Sequence, residues 1–206
     1  LARAKALLKR AGRSFGLREP VARARCIVAE AEIALVSRDL GWPPKALDAA
    51  RATLEAHGDR VNAAHARTLA IRRLLLIGRL GEVEKLLAGF TSAPLPPALE
   101  AARALAIGGI ALRRLQPEPA RAAFARAGEA ARRAGIAALA GEVEAAAQIL
   151  EAPAAQFISG GIRRSLDLAE VAALLASQDF IIDSCRNVVR QAGTAVPLAT
   201  RPVLFA

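Results

Sequence analysis

PPKALDAARATLEAHGDRVNAAHARTLAIRRLLLIG, Pro43 to Gly78, reads as two helices and one turn. A proline pair opens the first helix, and Gly58 ends it. Asp59 is placed to N-cap the second, and Gly78 closes it. Proline belongs in a first helical turn because its missing N–H is unpaired there anyway. Glycine belongs just past the end, where the backbone turns left-handed. The same punctuation continues on both sides. Pro20 opens a helix that is expected to run to Gly41. Gly81 leads into EVEKLLAGF, and Pro96-Pro97 opens ALEAARALAIGGIALRRLQ. Pro117 and Pro119 open a helix closed by Gly135, and a further one is expected from Ile136 to about Leu150.

These helices recur at a fixed interval. The longer ones start near residues 20, 59, 97 and 136. In the shorter ones Ala46, Val83 and Ala120 stand 37 apart, as do Ala49, Leu86 and Ala123, and Ala50, Leu87 and Phe124. Each trio follows a turn: LGWPP, GRLGE or LQPEP. Self-similarity at this length is the mark of stacked helical hairpins, since one hairpin cannot bury its own apolar face. Composition agrees. The chain of 206 residues is 54% hydrophobic but only 3% aromatic, with no Tyr and no Met. Its core must therefore be built from Ala, Leu, Val and Ile, through helices that approach closely. Gly108-Gly109 inside a helix costs about 1 kcal/mol per glycine against Ala, so tight packing is expected there.

Over about residues 20–150 this pattern resembles tetratricopeptide-like repeats. The period slightly exceeds the family's 34 residues, and Trp42 falls in an inter-helix turn, not at the family's tryptophan position. The likeness is to divergent repeats of bacterial regulators. It implies an all-α, TPR-like antiparallel helix-hairpin solenoid over residues 1–151, whose groove takes a peptide, a small effector or a protein partner. Arg67, Arg72 and Arg73, with Arg103 and Arg113 on the next long helix, are candidate contacts for an acidic group. Solvated arginines on an outer face are the competing reading.

After Ala152-Pro153 the repeats stop. Residues 152–178 are expected to form a linker with a short helical turn at AAQFI, then a connecting helix. Asp167 caps that helix, with Glu170 completing a capping box. A different architecture follows in DFIIDSCRNVVRQAGTAVPL, Asp179 to Leu198. β-Branched residues alternate, Arg186-Asn187 interrupts them, and Ala192-Gly193 makes a tight turn into a return strand. Pro197 confines that strand to an edge. The expectation is a short C-terminal β-hairpin, with Thr200 capping a helix after it.

This order resembles the start of the winged-helix DNA-binding domain of OmpR/PhoB-type response regulators. Ile181, Ile182 and Asp183 match its first strand, and Val189 and Arg190 its second. Gly193 matches the turn, Val196 and Leu198 the strand before the helix, and Val203, Leu204 and Phe205 the helix's buried face. Ala199 and Pro202 depart from the family's usual Thr and Glu. Residues 179–206 would then open a truncated winged helix, and DNA would be read only by sequence downstream. The resemblance implies the sensor or assembly region of a bacterial transcriptional regulator. Alternatives are a hairpin docked on the last helix or pairing a homodimer, and a protein-interaction scaffold with no DNA role.

Net charge is +10, but arginine dominates, as a GC-rich genome produces without selection for a partner. Residues 1–30 hold eight basic side chains against Glu19 and Glu30. They form either an anion-binding cluster or a solvated helix face. His57 and His65 fit no zinc spacing. GRLGE lacks the Lys-Ser/Thr of a phosphate loop, SGG is no nucleophile elbow, and Glu142 and Glu144 face different ways. No catalytic, metal or cofactor residue is assigned, and the chain is read as no enzyme. Cys26 and Cys185 are expected to be buried in a reducing compartment. No apolar run reaches the length of a membrane span, so a cytoplasmic protein is expected. Lacking an initiator Met and stopping at RPVLFA, the chain is read as a fragment cut at both ends.

Overall fold

The computed structural model describes residues 2–15, 18–90 and 94–198. Among these, eight helices come first: α1 (Ala2–Phe15), α2 (Pro20–Val36), α3 (Pro44–Ala56), α4 (Arg60–Leu76), α5 (Leu80–Ala88), α6 (Pro97–Arg113), α7 (Pro117–Ala134) and α8 (Ala137–Gln148). Then follow β1 (Ala155–Ser159), β2 (Ile162–Leu166), α9 (Leu168–Ala176), β3 (Ile181–Asp183), β4 (Val188–Gln191) and β5 (Thr194–Pro197). The molecule is mostly helical, with packed helix pairs and small antiparallel sheets near its C-terminal end. The expected cap at Thr200 and the face of Val203, Leu204 and Phe205 lie outside the described residues.

Helices pack on their sequence neighbours, and long ones also on the next long one: α2 on α4, α4 on α6, α6 on α8. The buried residues show how. Ala24, Val28 and Ala31 of α2 meet Leu47, Ala50 and Leu54 of α3 and Ala63, Ala66 and Leu69 of α4. The opposite side of α4 offers Ile71 to Val83 of α5 and to Ala106 and Ile110 of α6. Helix α6 turns Ala101 and Ala104 toward Ala127, Ala130 and Ala131 of α7 and Val143 of α8. The buried interior thus recurs from helix pair to helix pair as separate apolar clusters. It is rich in alanine, which buries little area per residue but lets backbones approach, so packing contacts supply what area does not.

The closest approach is at Gly108. A Cβ there would clash with the Phe124 ring of α7, and Phe124 is itself buried. Gly109, one residue on, faces the Leu75 side chain of α4 at ordinary contact distance, 3.8 Å. The tight packing expected of this pair therefore belongs to Gly108 alone.

Helix ends explain where the punctuation misled. Helix α2 stops at Val36, five residues before Gly41. Arg38 takes the left-handed backbone (φ 56), Asp39 N donates to Ala34 O and Arg38 N to Leu35 O. That is a Schellman closure. The same two bonds close α3 at Gly58, α4 at Gly78 and α6 at Leu115. Arg38 and Leu115 do it without glycine, so no residue-type signal marked them.

At the start of α4, Asp59 accepts from Asn62 N at 3.3 Å and from Arg25 Nε of α2 at 2.7 Å. One carboxylate both caps a helix and ties it to the neighbouring hairpin. Asp167 caps α9 with the expected reciprocal box to Glu170.

The linker reading of residues 153–165 is corrected. AAQFI is not a helical turn: Ala155–Ser159 is β1, paired with β2 from Ala155↔Leu166 to Ser159↔Ile162. Gly160 and Gly161, at φ 55 and 80, supply the two positive-φ positions of a tight hairpin turn. Leu166 at the hairpin's end is buried, and Leu168 just after it packs with Phe124 of α7 and Leu150. The stretch from 179 holds the three strands that the winged-helix match ordered, one more than the hairpin expected from the alternation alone. Asn187 (φ 52) and the bond from Arg186 N to Asp183 O fold the Arg-Asn break into a turn. The result is a three-stranded meander, β3-β4-β5, with the Pro197 strand at its edge as expected.

Two stability outcomes follow. Gly108→Ala should lower stability by about 1–3 kcal/mol through overpacking. Gly109→Ala should be neutral or stabilising by up to about 1 kcal/mol; urea unfolding of the two variants reads the contrast. At Asp59, burial raises the pKa, but hydrogen bonds from Asn62 and Arg25 outweigh it and hold the carboxyl below its usual range. Its contribution is therefore full above the ordinary aspartate pKa of about 4 and is lost as pH falls through the lower folded value. Asp59→Ala should cost about 1–2 kcal/mol at pH 7, and the gap from the unchanged protein should close in acid.

Candidate functional site

The five arginines expected to line a groove do not converge. Arg67 donates to Gly89 O and to Glu55 Oε1 and lies over the Phe90 ring at 5.5 Å. Arg103 also lies 5.5 Å from that ring. Arg113 bonds back to Gly109 O in its own helix. Arg72 of α4 forms an ion pair with Glu142 of α8, spanning the helix that packs between them. Arg67, Arg72 and Arg113 are engaged by protein acceptors, whereas Arg103 has the Phe90 ring but, among the described residues, no partner for its buried Nε.

Arg73 is different. It lies on the wall of a cavity of ≈ 420 Å³ between the first hairpin (α2–α3) and the second (α4–α5). Leu35, Leu40, Leu47, Leu69, Leu74 and Leu86 make most of its surface, with Trp42 from the α2–α3 turn. Charged groups at the same cavity are Asp39, Asp48, Arg73, Arg79, Glu82 and Lys85. Two of these acids are already paired, Asp39 with Lys5 and Glu82 with Arg79. Arg73 donates through Nη2 to Leu40 O at 3.1 Å, a neutral acceptor. Its Nε is buried without a partner among the described residues, as are those of Arg103 and Arg190, but of these three only Arg73 lines this cavity.

A sequence signal for Arg73 existed. It is residue 14 of α4, and the same position is Ile33 in α2 and Ile110 in α6. An arginine stands where the neighbouring hairpins carry isoleucine. Trp42, read only as a turn residue, is the other cavity residue that spacing did not flag.

A second feature is the meander. Its register aligns Ile182, Val189 and Val196 across the three strands on one face. Phe180, Ile182 and Val196 are 61%, 60% and 51% exposed, while Val189 on the middle strand is half-buried.

The remaining candidates do not assemble chemistry. His57 Nδ1 meets Thr53 O at 2.8 Å, closing the end of α3. His65 lies 3.7 Å from Glu32. No three His, Cys, Asp or Glu side chains group as metal ligands among the described residues. The cysteines are not both buried: Cys185 is exposed in the β3–β4 turn, because its alternation with Ile181 and Asp183 ends where the chain turns. Cys26 is half-buried, and burial, with the Glu30 charge behind it, pushes its thiol up, away from the reactive thiolate. From the N-terminal basic cluster, Lys9, Arg13 and Arg23 surround a shallow depression that Glu30 shares. No helix among the described residues is long and apolar enough to cross a membrane. The chain matches no family model, no curated protein and no solved structure.

The Arg72–Glu142 pair is testable by charge reversal. Both side chains are partly solvated, 37% and 43% exposed, so the pair should contribute only about 0.2–1 kcal/mol. Arg72→Glu should destabilise, and the added Glu142→Arg should restore most of the loss in thermal unfolding.

Proposed function

We propose that this chain is the sensor or assembly region of a bacterial transcriptional regulator. In this reading the hairpins from α2 to α8 form a TPR-like solenoid, and β3-β4-β5 opens a winged-helix DNA-binding domain. A small effector, peptide or protein partner held by the helical region shifts how that domain is oriented or paired. The whole acts in the cytoplasm, without catalysis of its own.

The observation that carries the reading is the Ile182-Val189-Val196 row, exposed at its two outer strands. A three-stranded sheet needs its apolar face covered to be stable in water. The N-terminal sheet of a winged helix has that cover from the domain's own helices. Support also comes from the helical part, where long helices stack at every second position. The strand order, the positive-φ Ala192-Gly193 turn and the edge proline agree with the matched residues.

Base reading in this fold falls to a recognition helix in the major groove, and no helix follows β5 among the described residues. Residues 1–206 alone are therefore expected to retain no DNA fragment selectively in a mobility-shift assay. The full gene product is expected to select a defined site from random DNA. Selective retention by residues 1–206 contradicts the placement of the reading element. Failure of the full product to select DNA, with a protein partner held instead, favours the scaffold.

A further inference from the structure

We infer that the cavity between the α2–α3 and α4–α5 hairpins is a binding site for a small apolar carboxylate, with Arg73 as its counter-ion. The argument starts from the cost of a cation in that place. A guanidinium presents five N–H donors and stays charged in proteins. Taken partly out of water beside leucines, it needs an anion or a full set of acceptors. Arg73 has one carbonyl, from Leu40, and its Nε is buried with none. Leu35, Leu69, Leu74 and Leu86 would pack an apolar body beside it.

The protein does not supply the missing anion. Asp39 and Glu82 are committed to Lys5 and Arg79. Asp48 is exposed at the rim. Nor is the cation a requirement of stacking, since isoleucine occupies the same helical position in α2 and α6. Ile110 is buried in one of the apolar clusters. A leucine-lined space of ≈ 420 Å³ lies within the range of small-molecule sites, about 300–1,000 Å³. Its occupant is therefore a compact molecule with one carboxylate and an apolar body.

The inference deepens the sensor reading by naming the effector's chemistry, and its test measures no DNA. Trp42 lies at the cavity and is the chain's one tryptophan, so intrinsic fluorescence reports occupancy. Octanoate, 1-octanol and octylammonium, each kept below micelle formation, share a tail and differ in head-group charge. Octanoate should bind saturably with a change in Trp42 emission. Octanol should bind about tenfold or more weakly, from the loss of a charge-assisted hydrogen bond, and octylammonium more weakly still. Arg73→Met should bring octanoate down to the level of octanol while octanol is unaffected.

The three-ligand comparison on the unchanged protein stands even where the variant does not fold. Octanoate failing to bind, octylammonium binding as tightly as octanoate, or the advantage of octanoate surviving Arg73→Met would each overturn the inference. None of these outcomes touches the reading of the meander, which is judged by DNA selection.

Discussion

The helical region depends on how closely its helices can approach. Few large side chains are available, so contact must come from bringing backbones together. Helix α7 shows the limit: Ala120, Ala123, Ala127, Ala130 and Ala131 are all buried, with Phe124 the one bulky side chain among them. That ring has room only because residue 108 on α6 has no side chain. Dense packing of small residues supplies many weak contacts per unit length. It also leaves no slack, because a methyl added at the wrong point has nowhere to go.

A second constraint is charge. The excess of arginine suggests an anionic partner, yet much of it is spent between hairpins. Lys5–Asp39, Arg25–Asp59, Arg114–Glu84, Arg121–Glu151 and Arg133–Glu100 join residues 30 to 34 positions apart. Arg25–Asp59, Arg114–Glu84 and Arg121–Glu151 reach from one helix pair to the next, whereas Arg133–Glu100 lies within the α6–α7 pair. Each adds little to stability in high dielectric.

Much of the helical part was legible because proline and glycine acted on local backbone preferences. Pro44, Asp59, Gly78 and Gly135 mark real boundaries. Arg38 and Leu115 were illegible because tertiary closure forced them into a conformation their side chains disfavour. The β1–β2 hairpin was missed for another reason. Five-residue strands give too short a period to separate from one helical turn, and the informative signal was Gly160-Gly161. The Arg-Asn break was seen, but its outcome as a full turn depended on Asn187 accepting positive φ. Of the candidate site, only Arg73 could be named in advance, among four other arginines of the long helices. What sets Arg73 apart is its place beside the cavity leucines, to which the isoleucine at the same position of α2 and α6 is the one sequence pointer.

The order of the apolar clusters has a consequence for how the chain acquires its shape. Each cluster draws on elements close together in sequence, so little loop entropy stands between the unfolded chain and its first core. Helices α2, α3 and α4 already hold a complete cluster. A nascent chain emerging from a ribosome could therefore close its first hairpins before α6 has been synthesised. Later units would then be added onto a finished surface, one at a time.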